Sequence, residues 1–417
     1  MKGSRAMLEI MRNRTFGRLF AAQVVALVGT GLLTVALGLL AYDLAGSRAG
    51  AVLGTALTIK MVAYVAVAPV ISALTDRVPR TVLLVGADVI RAVLAVLFPL
   101  VDQTWQVYVL IFVLQAASAT FTPAFQSIIP AVLVNEDDYT RGLSLSRLAY
   151  DLESLVSPVL AAALLTVVNY NFLFLGTVAG FVASALLVIS TVLPRTIPAD
   201  RSLRLVDRMT LGARVMVASP VLRGLLALNM VVAAATSLVV VNTVVYVRDL
   251  FGGSNIGVAL ALGCFGAGSM AMALVLPRLL ASLPDRRVMA TGSATVAGGL
   301  VVTTLVLVIA PPTTTGWVVL GAVWIVLGAG TSLITTPSAR LLRAYSDEQN
   351  RSSVFTAQFS LSHACFILTY PLAGWVGAHI GQVSAASAMT VLATLAALVA
   401  VRIWPARLEV VSAGRSM

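Results

Sequence analysis

Runs of about 20 apolar residues, the length a helix needs to cross the hydrocarbon core of a bilayer, recur along the whole chain and constrain its fold more than any motif. Twelve can be placed, at roughly 17–42, 50–74, 81–101, 105–130, 145–168, 172–193, 221–246, 255–280, 288–310, 317–342, 353–379 and 383–404. The connections carry turn chemistry such as Asn169-Tyr170-Asn171, Gly252-Gly253 and Pro311-Pro312. Only 11% of the residues are charged, against about 25% in soluble domains. That leaves too little polar surface to cover a soluble particle, so the solvent of this chain is largely lipid. The first run is too long for the apolar region of a signal peptide and is read as an uncleaved span.

Charge then orients the spans. All but four of the 28 Lys and Arg fall in the two terminal segments or in the loops that follow even-numbered spans. Arg48 and Arg248 lie on the opposite side, and Lys60 and Arg91 lie within spans. Positive residues mark cytoplasmic loops, so both termini are expected in the cytoplasm. The net charge of +11 is therefore a topology signal. The aromatic interleaving of a nucleic-acid surface is missing, and no nucleic-acid partner is expected.

The longest polar stretch falls mid-chain and contains Arg195, Arg201, Arg204, Asp207, Arg208 and Arg214. Segment 203–218 can lie on the cytoplasmic face as a basic amphipathic helix. The expected architecture is all-α and integral to the membrane: twelve transmembrane helices in two pseudo-symmetric six-helix bundles. They cover residues 1–194 and 221–417, with a linker over 195–220 and a short cytoplasmic tail. A weak repeat agrees, since Asp76-Arg77 after span 2 is echoed by Asp285-Arg286 after span 8. Two similar halves with a site between them is the plan of a secondary transporter.

The loop after span 2 reads Ser72-Ala73-Leu74-Thr75-Asp76-Arg77-Val78-Pro79-Arg80. It resembles the signature of the major facilitator superfamily, keeping Leu74, Asp76, Arg77 and Arg80 and departing at Ser72 and Pro79. Thr122-Pro123-Ala124-Phe125-Gln126 with the acidic Glu136-Asp137-Asp138, and Tyr246-Val247-Arg248-Asp249 with Phe265-Gly266-Ala267-Gly268, are similar to the enterobactin-exporter-like, drug-efflux branch. The resemblance implies the major facilitator fold and a multi-pass protein of the bacterial cytoplasmic membrane. It also implies a monomer that uses no cofactor, moves a small molecule and takes protons as coupling ion. Asp76, Arg77 and Arg80 would form a gating motif between the halves. Spans 1, 4, 7 and 10 would line the cavity, with Gln23, Gln115, Asn229, Asn242 and Trp324 as lining residues. Span 4 lacks the arginine of classical drug–proton antiporters. The span-5 motif is reduced to Ser157-Pro158-Val159-Leu160-Ala161-Ala162.

Ionisable groups inside spans are expensive in lipid, so they mark function or pair with one another. Asp88 and Arg91 are three apart and read as a structural pair. Arg147 and Asp151 are four apart and can also pair, whereas Glu153 points to a different face. Lys60 in span 2 and His363 in span 11 complete the set. A carboxylate in an apolar cavity can exchange a proton near neutral pH, which is what antiport needs. Asp151 and Glu153 are therefore the proton-coupling candidates, with Arg147, Lys60 and His363 as partners or substrate ligands. Export of small amphipathic molecules such as drugs or siderophores is the leading expectation.

Export of a metal ion or metalloid is the alternative, resting on these carboxylates, His363, Cys264 and Cys365. Those ligands show no metal-site spacing, so no metal-binding residue is assigned. A membrane-embedded receptor or enzyme finds no supporting motif: a nucleotide-binding loop, an H-E-x-x-H and a Ser-His-Asp arrangement are all missing.

Overall fold

In the computed structural model, residues 10–67, 78–133, 136–193, 205–309, 313–346 and 351–405 are described. Helices account for nearly all of them. The first half contributes α1 (Arg14–Ala45), α2 (Ala49–Val62), α3 (Arg80–Leu97), α4 (Thr104–Val132), α5 (Glu136–Leu164) and α6 (Asn171–Ile189). After the short α7 (Leu205–Ala218) come α8 (Pro220–Val245), α9 (Asn255–Ser282), α10 (Asp285–Ile309), α11 (Thr313–Ala344), α12 (Arg351–Pro371) and α13 (Gln382–Ile403). Among the described residues, nine segments are long and apolar enough to cross a membrane.

The first of these runs for 53 residues, Arg14–Ala66. As a single helix it would be about 80 Å long, against a hydrocarbon core of about 30 Å. It folds back instead. Gly46 takes φ 54° and donates its N–H to the Tyr42 carbonyl, ending α1. A single 3-10 turn, Gly46–Arg48, then launches α2, which packs on α1. Helix starts are capped locally. The Asn13 side chain accepts N–H bonds from Thr15 and Phe16 at 3.1 Å each, Ser219 caps α8 ahead of Pro220, and Ser254 caps α9.

Three helices widen into π turns: α2 at Ala63–Val67, α8 at Tyr246–Leu250 and α12 at Leu372–Val376. A π turn is a local insertion in the i→i−4 ladder and is concentrated at functional positions.

Lipid tails are as apolar as leucine, so helices in a membrane associate through close backbone approach and hydrogen bonds. The structure uses both. Thr177 on α6 donates its hydroxyl to the Gly29 carbonyl of α1 at 2.9 Å. A Cβ on Gly268 of α9 would sit 1.9 Å from the Ile325 carbonyl of α11, and one on Gly328 the same distance from that of Phe265. The outer faces keep large apolar side chains exposed, including Val89, Val93 and Val96 of α3 and Leu175, Val182 and Leu186 of α6. Water would penalise such a belt; lipid does not.

Helices of the two halves of the chain meet along two seams, α2 against α12 and α5 against α9. At the end where α1 gives way to α2 the α2–α12 seam is backbone-tight. A Cβ on Gly54 would lie 2.6 Å from the Tyr370 carbonyl, and one on Gly374 would lie 2.1 Å from the Gly50 carbonyl. Trp375 donates its indole N–H to Thr55 at 2.9 Å. The Tyr42 hydroxyl donates to Asp249, and the Arg248 guanidinium lies 4.8 Å from the Tyr42 ring centre. Four of the five second-half members of these contacts, Arg248, Asp249, Gly374 and Trp375, sit on π turns, and Tyr370 lies just before one.

Candidate functional site

Charged side chains lie within the apolar spans at the end of α2 and part-way along α5. Lys60 is in the last turn of α2, and Tyr64 follows one turn later in its π turn. The ammonium sits 5.6 Å from the Tyr64 ring centre, a cation–π contact. Across the seam, the Tyr64 ring meets His363 of α12 edge-on at 5.7 Å and Phe359 at 6.4 Å. Phe359, His363, Phe366 and Tyr370 then form a continuous aromatic stripe along α12, with neighbouring ring centres 4.1, 6.5 and 5.1 Å apart. His363 Nδ1 is 2.7 Å from the Phe359 carbonyl oxygen, which fixes the ring.

Glu153 projects from α5 towards the same region. Its carboxylate is packed against α1, so that a Cβ on Gly31 would meet Glu153 Oε1 at 2.9 Å and Ser157 Oγ at 2.1 Å. Lys60 and Glu153 act on one another electrostatically, and Lys60 also acts on His363. Both are half-buried. Among the described residues, neither has an ion-pair partner within 4 Å. Two opposite charges thus act on one another from different helices without an ion pair between them. Arg147 and Asp151 are on α5 as well, and their side chains lie outside the described residues.

Asp88 and Arg91 behave differently. They pair directly on α3, are 0% and 4% exposed, and the guanidinium lies between the Phe121 and Phe181 rings at 4.5 and 4.4 Å. This is a packed unit inside the first six helices.

The residues expected to line a cavity divide into two sets. Asn242 donates to the Ala373 carbonyl at 3.1 Å and to Gln382 at 2.7 Å, and Trp324 donates its indole N–H to Thr243 at 2.9 Å. Asn229 and Gln358 exchange reciprocal amide bonds at 3.1 and 3.0 Å. These polar groups join helices of the second half. Gln23 and Gln115, in contrast, each bury a carbonyl oxygen to which no described residue donates. Of the gating motif, Arg80 opens α3, and Asp76 and Arg77 lie outside the described residues. Among the described residues no three His, Cys, Asp or Glu side chains converge as metal ligands would. Cys365 gives its thiol to the Leu361 carbonyl at 3.4 Å.

The sequence reading missed Tyr64 and the α12 aromatic stripe. Tyr64 is four residues from Lys60 and so shares its face. Phe359, His363, Phe366 and Tyr370 recur at the 3–4 residue spacing of one helical stripe. That periodicity was the available signal.

The sequence model of the Major Facilitator Superfamily matches residues 19–323, from α1 into α11 and across most of both halves. The chain belongs to the major facilitator superfamily. It is a multi-pass membrane protein. It is 28% identical over 185 residues to macrolide efflux protein A of Streptococcus pyogenes, a match covering 43% of this chain and 45% of that relative. The protein of the same name from Enterococcus faecalis is 28% identical over 137 residues, covering 32% of this chain and 42% of that one. The chain therefore matches less than half the length of these relatives.

Solved structures share the fold. A POT family transporter superposes with a TM-score of 0.72 at 14% identity, covering 94% of this chain and 95% of that one. A D-xylose–proton symporter gives 0.68 at 13%, covering 95% and 98%.

Proposed function

We propose that this transporter is a secondary active exporter of the bacterial cytoplasmic membrane, moving small amphipathic molecules outward in exchange for protons by alternating access. In this reading twelve spans form two six-helix bundles, both termini are cytoplasmic, and the α1–α2 end faces outward. The site lies near the midplane, where such transporters bind cargo. The observation that carries the reading is the half-buried Glu153 of α5, opposed by Lys60 across the interior with no ion pair to a described residue. A carboxylate so placed can take or release a proton without dismantling a packed salt bridge, as a coupling residue must. The relatives are named for macrolide efflux, which supports outward transport of drug-like cargo. The tight α2–α12 contact at one end supports rocking about a central site, because that contact must open for release.

The test uses everted membrane vesicles with an inside-acid pH gradient and a panel of lipophilic cations, neutral drugs including macrolides, a catechol siderophore and divalent metals. Collapse of the gradient by one class, lost in Glu153→Gln or Asp151→Asn vesicles, is the expected result. Collapse that persists in both variants would remove the coupling role from α5. Silence across the whole panel would remove proton exchange of these molecules.

A further inference from the structure

We propose that Lys60 and Glu153 are the two poles of one recognition site and that its substrate is a zwitterion: an amphipathic molecule with an acidic group for Lys60, an ammonium for Glu153 and an apolar body. The inference rests on the reading of this region as the transport site and names the class of molecule it takes.

Three features of the structure lead to it. The poles come from different helices, α2 and α5, and act on one another across the α2–α5 gap with neither in an ion pair to a described residue. A charge held in a low-dielectric interior without an ion-pair partner is costly. A ligand carrying both opposite charges satisfies both, whereas a cation satisfies Glu153 and is repelled by Lys60, and an anion does the reverse. The wall beside the poles is aromatic, built from Tyr64, Phe359, His363 and Phe366. Rings of this kind accept an apolar body and also favour a nearby cation.

The charge arithmetic agrees with exchange. A substrate ammonium and a proton compete for the Glu153 carboxylate, so loading one excludes the other, as antiport requires. A purely acidic substrate on Lys60 would instead favour the protonated form of Glu153 and travel with the proton. Lys60 and Tyr64 face Glu153 from α2, and His363 of α12 lies beyond Lys60. Gly31 of α1 and Ser157 of α5 border the same place, and α9 meets α5 nearby through Gly263 against Pro158 and Val159. Arg147 and Asp151 share the helix.

The experiment measures binding to the full-length, detergent-purified transporter, using three probes with one aromatic body. One bears an ammonium, one a carboxylate and one both. Dissociation constants from intrinsic fluorescence should favour the doubly charged probe by at least about tenfold over either other, the scale of losing one partner of a buried charge pair. Lys60→Gln should erase its advantage over the cation, Glu153→Gln its advantage over the anion, and Lys60→Arg should keep both. A cation that binds the wild type as tightly as the zwitterion, a preference that survives Lys60→Gln, a preference lost in Lys60→Arg, or no binding by any probe would overturn the proposal. Selective binding without gradient collapse in vesicles would support the site and count against proton exchange, so the two readings fail separately.

Discussion

Two carboxylates within the spans, the buried Asp88 and the half-buried Glu153, differ in how they are held and so in what their removal should do. Asp88 is held by Arg91, and Arg91 is held by two rings. Removing the carboxylate strips a buried guanidinium of its counter-charge, which costs about 3 kcal/mol. Asp88→Ala should therefore lower the melting temperature and the amount of folded protein in the membrane. Glu153 has no ion-pair partner among the described residues, so Glu153→Gln should leave melting nearly unchanged and abolish the response to a pH gradient. Thermal unfolding and vesicle assays on the same two variants check the contrast. A Glu153→Gln protein that melts like Asp88→Ala would make Glu153 a structural residue. The Asp88–Arg91 pair was legible from its three-residue spacing. Its ring clamp was not, because Phe121 and Phe181 reach it from α4 and α6, and no sequence period links them.

At the scale of elements, the apolar runs announced helices and the turn residues announced their ends. The widening of α2, α8 and α12 into π turns went unannounced, because the three turns share no residue pattern: those of α2 and α12 are apolar, while that of α8 carries Arg248 and Asp249. Those turns carry Tyr64, Arg248, Asp249, Gly374 and Trp375, which touch the other half of the chain. Gly374 shows why a Cβ is excluded there. It would lie 2.1 Å from the backbone oxygen of Gly50, and backbone cannot move aside as a side chain can. Gly374→Ala should hold the α2–α12 seam apart. A cysteine at Thr55 should then react with a membrane-impermeant maleimide about fivefold faster, a shift of roughly 1 kcal/mol towards the open form. Unchanged labelling would show that the seam does not gate this end.

The α1–α5 contact gives a parallel case. A Cβ on Gly31 would collide with the Ser157 side chain at 2.1–2.2 Å and touch Glu153. Gly31→Ala should reduce transport by about tenfold at similar protein levels, the loss expected from misplacing a reacting group by about 1 Å or less. Ser157→Gly, which deletes the colliding atoms, should restore it. If the double variant transports no better than Gly31→Ala, the packing account of Gly31 fails.

For the whole molecule, fold and cargo were legible to different degrees for a physical reason. A membrane fold depends on the period and length of apolar runs and on where the positive charges fall, which many sequences satisfy. A peptide-family transporter and a sugar symporter accordingly share this fold at 14% and 13% identity. Cargo depends on a few side chains brought together from distant runs, in the proposed site residues 60, 153 and 363, whose juxtaposition no local pattern reports. Orientation stands between the two, since it follows from an average over the chain. With all but four of its 28 Lys and Arg on one side, the positive-inside bias is strong enough to set topology. In a background with Cys264 and Cys365 replaced by Ser, a cysteine at the exposed Ser47, between α1 and α2, should react with an impermeant maleimide in intact cells. One at the exposed Ser282, at the end of α9, should react only after permeabilisation. Both positions labelled from the same side would break the alternation on which the twelve-span count depends. The reverse pattern would keep the alternation and turn the protein over. The α2–α12 seam would then close the cytoplasmic end, and a pH gradient would drive exchange in the opposite sense.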